Sequence, residues 1–308
     1  MITTYRAYGL SIASDLKLPQ LTEDPDCGTT DVVVRRDDLE EVSHILSVDT
    51  PFVAAVRDRD ILLSWRSYGH FLVRDGKEIL YLPPLNGDTG ALAAPLIGVV
   101  LGVLLHQRGV LTLHSSAINF FGNGVAFIAH KGTGKSTTCA SMYNRGYPLI
   151  TDDVLAIQFQ AGGEPMVEPA YPTLKLHPDS VESIGKDPRR LNKIAKEIDK
   201  RYLIASSQFD TTSLPLRTVY LLENGDEYEV SEINSKEAFL HLLEHSFVVR
   251  TLGRIAAGKQ HFLDCERVVK NVKIKRLVRP RDLSKLDEYL DFIESDLEAE
   301  FAAAQAIS

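Results

Sequence analysis

Residues 124–137 of the chain read GVAFIAHKGTGKST, and this stretch decides the fold. Its first half is an apolar run that predicts a strand, and its glycines predict a loop. A helix is predicted from Thr137 to Asn144, and Leu149 starts a short apolar strand that ends in Asp152-Asp153. A strand, a glycine loop, a helix and a second strand are typical of an α/β nucleotide-binding core.

The loop fits a phosphate-binding pattern in which glycine is followed by four residues and then by Gly-Lys-Ser or Gly-Lys-Thr. Ala129 stands at the first position, which alanine tolerates if its backbone is extended. Lys135 is placed to reach the β- and γ-phosphates, and the Ser136 hydroxyl to bind Mg²⁺. The alternative is a glycine-rich turn without a ligand. The predicted cofactors are ATP and Mg²⁺, and the predicted cofactor-binding residues are Lys131, Gly132, Thr133, Gly134, Lys135, Ser136 and Thr137.

Two adjacent carboxylates, Asp152 and Asp153, begin 17 positions after Lys135. One member of such a pair can hold Mg²⁺ while the other accepts a proton from a substrate hydroxyl. The alternative is a helix N-cap or a turn, because aspartate favours both. His114 ends the preceding strand and would orient a carboxylate if the strands are neighbours, although a lone histidine is more often structural.

Four features together resemble the HPr kinase/phosphorylase family: His114, the turn at Gly122–Gly124, the loop at Gly132–Ser136 and the stretch from Arg145 to Asp153. Its members transfer the γ-phosphate of ATP to a serine hydroxyl with Mg²⁺. Their fold is similar to that of phosphoenolpyruvate carboxykinase. The resemblance therefore implies an α/β P-loop kinase core.

The resemblance also implies roles for single residues. Asp152 would be the general base, whereas Asp153 would bind the metal or pair with His114. The catalytic residues that it implies are His114, Lys135 and Asp152, and the metal ligands are Ser136 and Asp153.

The chain departs from this family pattern at three positions. Ala129, Lys131 and Asn119 stand where the family has a glycine, a serine and an acidic residue. The glycine-rich signature of the phosphorylase reaction is also not found in the sequence. These departures argue against phosphorylase activity and against HPr as the acceptor.

A second resemblance, to HPr-kinase-like enzymes of lasso-peptide gene clusters, extends over residues 104–117, 169–179 and 277–283. Those enzymes phosphorylate the C-terminal serine of a precursor peptide. The predicted function is thus transfer of the γ-phosphate to a serine of a peptide or protein, including a lasso-peptide precursor. A kinase of HPr or of a small-molecule hydroxyl, and a nucleotide-binding sensor without transfer activity, are the alternatives. Whether the protein forms a homo-oligomer is left open by the sequence.

Composition limits the partners and the location. The chain has 34 Lys+Arg against 42 Asp+Glu and a net charge of -8, which argues against nucleic acid and anionic membranes as partners. Its 3 cysteines are far apart, which excludes a disulfide framework and a cysteine zinc site. The first residues lack a signal-peptide pattern, so we expect a cytoplasmic protein. The apolar run from Ala91 to Leu105 is too short for a membrane span and predicts a buried helix.

The rest of the chain suggests two units, an N-terminal β-rich module over residues 1–88 and a kinase domain over residues 89–308. Four short strands are predicted between residues 31 and 82, with an Asp75-Gly76 hairpin turn. Residues 272–277 alternate as an edge strand does. Apolar residues at helical spacing from Leu286 onward predict a C-terminal amphipathic helix.

Basic residues provide the predicted contacts to the acceptor or to phosphate. The segment from Lys186 to Arg201 has a local basic excess, for which a solvated helix face is the alternative. Within it Lys200 and Arg201 are the predicted contacts. Arg279 is a third, in the role of an arginine finger, although arginines at strand ends are common. Lys175 and His177 are expected to line the acceptor cleft.

Overall fold

The computed structural model describes residues 1–42, 52–85, 87, 89–195 and 198–305, and for residues 254–257, 304 and 305 it describes the backbone only. Asn86 and Asp88, in the predicted linker, and Lys196, in the predicted basic segment, lie outside the described residues. The fold is mixed α/β, with two large sheets and a small third sheet.

The first sheet contains the N-terminal strands β1 (Thr3–Ala7), β2 (Leu10–Ser14), β3 (Thr22–Glu23), β4 (Val32–Arg36), β5 (Phe52–Arg57), β6 (Asp60–Trp65), β7 (Gly69–Arg74) and β8 (Glu78–Leu82). Their order is β3-β1-β2-β4-β8-β7-β6-β5. The four predicted strands are thus confirmed as β4, β6, β7 and β8. Asp75 and Gly76, between β7 and β8, have φ of 50° and 64°, which is the positive φ expected of the predicted turn.

One apolar helical segment, Thr89–Gln107, follows the first sheet. It begins with a 3₁₀ turn, continues through a π-helical turn at Leu96–Val100 and ends as helix α1 (Leu101–Gln107). Its mean hydropathy of 1.9 would suit a membrane span, but 67% of its most apolar window is buried inside the protein. This packing agrees with the prediction of a buried helix. Gly109, with φ 77°, follows its last turn.

The second sheet contains the strands β9 (Leu111–Phe120), β10 (Asn123–Ile128), β11 (Leu149–Phe159) and β12 (Pro165–Glu168). Three more strands, β13 (Thr173–Leu176), β14 (Lys193–Ala195) and β15 (Ile198–Ile204), form the small sheet in the order β13-β15-β14. The second sheet is completed by β16 (Leu214–Asn224), β17 (Glu229–Glu232) and β18 (Lys273–Arg279). Its order is β10-β9-β11-β12-β16-β18-β17, and β10 also pairs with β16, so that five strands form a closed ring.

Three predictions about these strands were wrong. His114 does not end its strand but lies inside β9. Asp152 and Asp153 do not end a short strand but lie inside β11, which is 11 residues long because β11 pairs antiparallel with β9 along most of its length. The strand β18 is not at an edge, since it pairs with β16 on one side and with β17 on the other. The short strand β17 is the edge instead.

The remaining helices are α2 (Lys135–Asn144), α3 (Pro178–Ser183), α4 (Ser235–Glu244), α5 (Phe247–Leu252), α6 (Arg254–Asn271) and α7 (Leu286–Gln305). The predicted C-terminal amphipathic helix is confirmed as α7, which buries Leu286, Leu290, Ile293 and Leu297 in the core. The basic segment is not one helix, because a 3₁₀ turn at Pro188–Arg190 and the strands β14 and β15 occupy its described part.

A single hydrophobic cluster joins the first sheet to the second. It contains Phe71 of β7, Leu96 and Leu104 of the apolar segment, and Val154 of β11. The apolar segment therefore packs between the two sheets, and it brings the N-terminal strands against the strand that carries the paired aspartates. The predicted domain boundary at residue 88 stays a prediction.

Candidate functional site

The phosphate loop connects the end of β10 to the start of α2. Ala129, at the first position of the pattern, is fully buried and is not among the residues with positive φ. Gly132 and Gly134 have φ of 88° and 106°, a region that strongly favours glycine. The loop therefore needs glycine at these two positions. Alanine suffices at position 129, because its φ is not positive.

Lys135 is the first residue of α2, and it is buried beneath the loop. Its Nζ donates a hydrogen bond to the carbonyl oxygen of Ala129 at 2.8 Å. Burial lowers the pKa of Lys135 to about 8, and the positive charge of Arg250 acts in the same direction. An ammonium group in such a position gains a great deal from a nearby anion.

Arg279, at the end of β18, packs directly on the loop. Its Nη2 donates to the carbonyl oxygen of Thr133 at 3.0 Å, and its guanidinium lies over the ring of Tyr289. A Cβ atom at Gly134 would lie only 2.1 Å from this Nη2. The arginine and the glycine therefore fit together only because Gly134 has no side chain.

The paired aspartates lie opposite the loop on β11. Asp152 faces Ser116 of β9 in the register of the two strands, and the Ser116 hydroxyl donates to its Oδ1 at 2.7 Å. The backbone N–H of Lys175 donates to Oδ2 of the same carboxylate, also at 2.7 Å. Asp152 is thus fixed by two hydrogen bonds and is 5% exposed.

Asp153 has different partners. The Nζ of Lys175 lies 2.7 Å from its Oδ2, and the Nδ1 of His114 lies 3.2 Å from its Oδ1. The predicted pairing of Asp153 with His114 is present in this geometry. The strands β9 and β11 are neighbours, and their register places His114 beside the aspartates. The sequence predicted this proximity on the condition that the two strands are neighbours.

The pKa values of the two carboxyl groups are shifted in opposite directions. Burial raises the pKa of Asp152, although the Lys175 N–H and the Ser116 hydroxyl oppose the shift. Burial acts in the same direction on Asp153, but Lys175 and His114 outweigh it and lower its pKa far below the usual range. Asp152 is therefore the stronger base of the pair, and Asp153 is the fixed negative charge.

The apolar segment covers the ion pair between Asp153 and Lys175. A Cβ atom at Gly98, inside the π-helical turn, would lie 2.9 Å from Oδ2 of Asp153 and 3.7 Å from Nζ of Lys175. The hydroxyl of Tyr171 donates to the carbonyl oxygen of Ile97 in the same turn. The turn thus brings the backbone close to the carboxylate, as single π-helical turns often do at functional sites.

A single cavity of about 560 Å³ unites these groups. The phosphate loop contributes Lys131, Gly132, Gly134, Lys135, Ser136 and Thr137 to its lining, and other elements contribute His114, Asp152, Asp153, Lys175, Lys200 and Arg279. Thr133 is the one predicted cofactor-binding residue that is not among the lining residues, and its carbonyl oxygen accepts the hydrogen bond from Arg279. Arg201 lies outside the cavity, because its guanidinium binds Asp199 and the carbonyl oxygen of Pro188.

The oxygen donors at the loop suit a hard cation such as Mg²⁺. Ser136 lines the cavity together with Asp152. Asp153 suits the ion less well, since both of its oxygens already face basic groups. A cation on Asp153 would have to displace the Lys175 ammonium group.

Two residues of the site carried little signal in the sequence. Lys175 was expected only to line a cleft, yet it contacts both aspartates through different atoms. Ser116 was not singled out at all. Its position opposite Asp152 depends on the pairing of β9 with β11, and a register between distant segments is not visible in local patterns.

Comparison with known proteins gives a partial likeness. No family model matches the chain. It is 31% identical over 150 residues to an HPr kinase/phosphorylase of Alkaliphilus metalliredigens, which covers 47% of this chain and 44% of that protein. It is 29% identical over 75 residues to an HPr kinase/phosphorylase of Caldanaerobacter subterraneus, which covers 24% of each. The chain thus matches less than half of the length of either relative.

A solved structure is also similar, the HPr(Ser) kinase/phosphatase from Coxiella burnetii. The similarity covers 61% of this chain and 98% of that one, with 12% identity and a TM-score of 0.33. That score is too low to support an argument about the fold. Over part of its length, then, the chain is similar in sequence to proteins named HPr kinase/phosphorylase.

Proposed function

We propose that the protein is an ATP- and Mg²⁺-dependent phosphotransferase that moves the γ-phosphate to a serine hydroxyl of a peptide or protein. One observation carries the proposal. The phosphate loop and the aspartate pair line the same cavity. Phosphoryl transfer requires little beyond such positioning and charge stabilisation.

The loop would bind the nucleotide. The backbone N–H groups of residues 132–136 and the N-terminus of α2 suit phosphate oxygens. Lys135 would exchange the Ala129 carbonyl for a β- or γ-phosphate oxygen, which offsets the cost of its burial. Mg²⁺ neutralises charge on the phosphates when it is bound, and Ser136 is the residue best placed for it, with an aspartate as its second protein ligand.

Asp152 is our choice for the base. The acceptor hydroxyl oxygen attacks the γ-phosphorus, the bond from that phosphorus to the β,γ-bridging oxygen breaks, and ADP leaves. The proton of the hydroxyl passes to Asp152. Its raised pKa suits this task, and its two hydrogen bonds keep it in place.

Asp153 would position the groups around the base. Its fixed charge orients Lys175, whose backbone N–H binds Asp152, and it orients the ring of His114. As a metal ligand Asp153 has weaker support, because Lys175 competes for its oxygen. The Mg²⁺ dependence of an Asp153→Asn variant separates the two roles, since loss of a metal ligand raises the Mg²⁺ concentration required.

For the acceptor we propose a serine at a peptide terminus, as in the lasso-peptide precursors, with Lys200 and Arg279 near the peptide carboxylate. The printed names of the two relatives support the protein HPr as the alternative acceptor. A small-molecule hydroxyl would use the same centre. A sensor that binds nucleotide without transfer would use the same loop and need no base.

The test uses γ-labelled ATP, Mg²⁺ and three acceptors: serine-ended peptides, HPr and a pool of small metabolites. We expect label on a peptide terminus, and its loss in Asp152→Asn with nucleotide binding retained. Label on HPr or on a metabolite would identify a different acceptor for the same phosphate transfer. Nucleotide binding without any transfer would favour the sensor.

A control variant excludes general damage. Asp60→Asn changes a carboxylate of the first sheet that pairs with Arg74 and lies outside the cavity. We expect it to transfer phosphate like the unchanged protein. Full turnover in Asp152→Asn would contradict its assignment as the base.

A further inference from the structure

Three potential metal ligands meet at the start of the phosphate loop. His130 directly precedes Lys131 of the loop, Glu244 is the last residue of α4, and His245 follows it. One ligand atom from each of the three lies within 4.8 Å of the others. The Nε2 atom of His130 lies 3.6 Å from Oε1 of Glu244.

His245 is the unusual member of this cluster. It is 1% exposed, yet neither of its ring nitrogens has a hydrogen-bond partner among the described residues. Buried polar atoms in proteins are nearly always paired, so two unpaired nitrogens on one ring require an explanation. The ring does contact His130, with 5.4 Å between the ring centroids.

The backbone keeps His245 in this place. Its carbonyl oxygen accepts a hydrogen bond from the N–H of His114 at 2.7 Å, and the next residue, Ser246, forms a bridge with Leu113. These contacts fix the backbone of His245 against β9. A ligand that binds a ring nitrogen would remove the cost of leaving it unpaired.

The donor set suits a transition-metal dication. Imidazole nitrogens favour zinc, cobalt, nickel and copper over magnesium, and the carboxylate adds a negative charge. Bonds of about 2.1 Å at tetrahedral angles place ligand atoms about 3.4 Å apart, which is close to the distance between His130 and Glu244. The Nδ1 of His241 lies 3.7 Å from the other oxygen of Glu244, where it can orient the carboxylate.

We propose that His130, Glu244 and His245 bind a dication of the zinc class, with a fourth position open to water. Its ligands differ from those proposed for Mg²⁺, although His130 also lines the cavity, and the proposal does not depend on the proposed function. Because His130 belongs to the phosphate loop, the bound ion would tie that loop to the end of α4.

The test is titration of the untagged protein with Zn²⁺ and with Co²⁺ in excess Mg²⁺. We expect one ion per chain and the intense visible bands of tetrahedral Co²⁺. Glu244→Gln and His130→Asn remove exposed ligands, with side chains 50% and 68% exposed, so both variants should fold. Each should weaken Zn²⁺ binding at least about tenfold, since even residues that only support a ligand have effects of that size.

Glu266→Gln is the matched control. Glu266 also lies on a helix and is 49% exposed, but it pairs with Lys270 and not with a histidine. It should bind Zn²⁺ like the unchanged protein. Equal Zn²⁺ binding by all variants would overturn the proposal. Binding that Asp153→Asn abolishes and Glu244→Gln leaves intact would overturn it too, because the ion would then lie in the cavity.

Discussion

The two large sheets of this protein differ in what they bury. In the strands of the first sheet the buried polar side chains are uncharged, namely Ser11, Ser14 and Ser64. In and around the second sheet they include Lys135, Asp152, Lys175, Lys275 and Arg279. A buried charge costs free energy unless it is paired, and even a paired one seldom adds stability over an apolar core. Stability alone therefore does not account for the second set. The proposed chemistry would account for Lys135, Asp152, Lys175 and Arg279, which line the cavity, whereas Lys275 pairs with Asp296 and Glu300.

The largest expected effect is on transfer activity. Lys135→Ala removes the cation beneath the loop, and we expect phosphate transfer to fall by at least about 10²–10³-fold, the usual loss for one key charge-stabilising group. Nucleotide binding should weaken as well. The matched change in the first sheet is Lys77→Ala, which alters an exposed lysine and should leave transfer unchanged. Initial rates with labelled ATP measure both; similar losses in the two variants would contradict the comparison.

The next effect is on stability. Asp153→Asn leaves the Lys175 ammonium buried without its carboxylate, so we expect the free energy of unfolding to fall by about 3–5 kcal/mol. In the first sheet, Asp60→Asn breaks a half-exposed pair with Arg74 and should cost at most about 1 kcal/mol. Urea unfolding of both variants measures the difference. A loss below about 1 kcal/mol for Asp153→Asn would mean that Lys175 finds another partner.

The same ion pair predicts a dependence on pH. The pKa of Asp153 is lowered from 3.8, so its contribution to stability is complete above pH 3.8 and is lost as the pH falls below it. Asp152 acts in the opposite direction, because its raised pKa makes stability fall as the pH rises above 3.8. One proton changes the slope by at most about 1.4 kcal/mol per pH unit.

Unfolding curves across acidic pH test this prediction. The stability of Asp153→Asn should fall less steeply on acidification than that of the unchanged protein. Asp60→Asn, from the first sheet, should keep the full slope, since it leaves the pair of Asp153 and Lys175 intact. Parallel curves for the unchanged protein and Asp153→Asn would show that Asp153 does not carry the effect.

The comparison also shows what local sequence can predict. The loop from Ala129 to Ser136 and the aspartate pair were found because each is a short pattern with a fixed spacing. The glycines of the loop have the positive φ that such a pattern requires. The strands of the first sheet were found from composition alone, although nothing in them indicated a chemical role. Short motifs and local strand patterns could therefore be predicted from the sequence.

What local sequence could not predict depends on contacts between distant segments. The antiparallel pairing of β11 with β9 places Ser116 on Asp152, and the contact of β13 with β11 brings Lys175 to both aspartates. Gly98 resembles any other glycine in an apolar run until the structure shows Asp153 beside it. Arg201 and Lys200 are neighbours in sequence, yet only Lys200 lines the cavity.

A smaller effect is expected from the glycines. Gly134→Ala forces a side chain into a backbone with φ 106° and against Arg279, so we expect a loss of about 1–2 kcal/mol in stability. It should also weaken nucleotide binding, because the arginine must leave the Thr133 carbonyl. Gly28→Ala, near the first sheet, meets no atom within 4 Å and should be neutral. Thermal unfolding and nucleotide titration distinguish them, and equal behaviour would mean that Arg279 moves freely.

The smallest effect separates two adjacent basic residues. Lys200 is half-exposed and lines the cavity, so Lys200→Ala should raise the KM for ATP or for the acceptor about two- to fivefold, the size of a solvent-screened charge contact. The kcat should change little, because Lys200 does not contact the proposed base. Arg201→Ala removes bonds to Asp199 and to the Pro188 carbonyl, so it should lower stability and leave KM unchanged. A rise in KM for Arg201→Ala equal to that for Lys200→Ala would show that the whole basic segment, and not the face of β15 toward the cavity, meets the substrate.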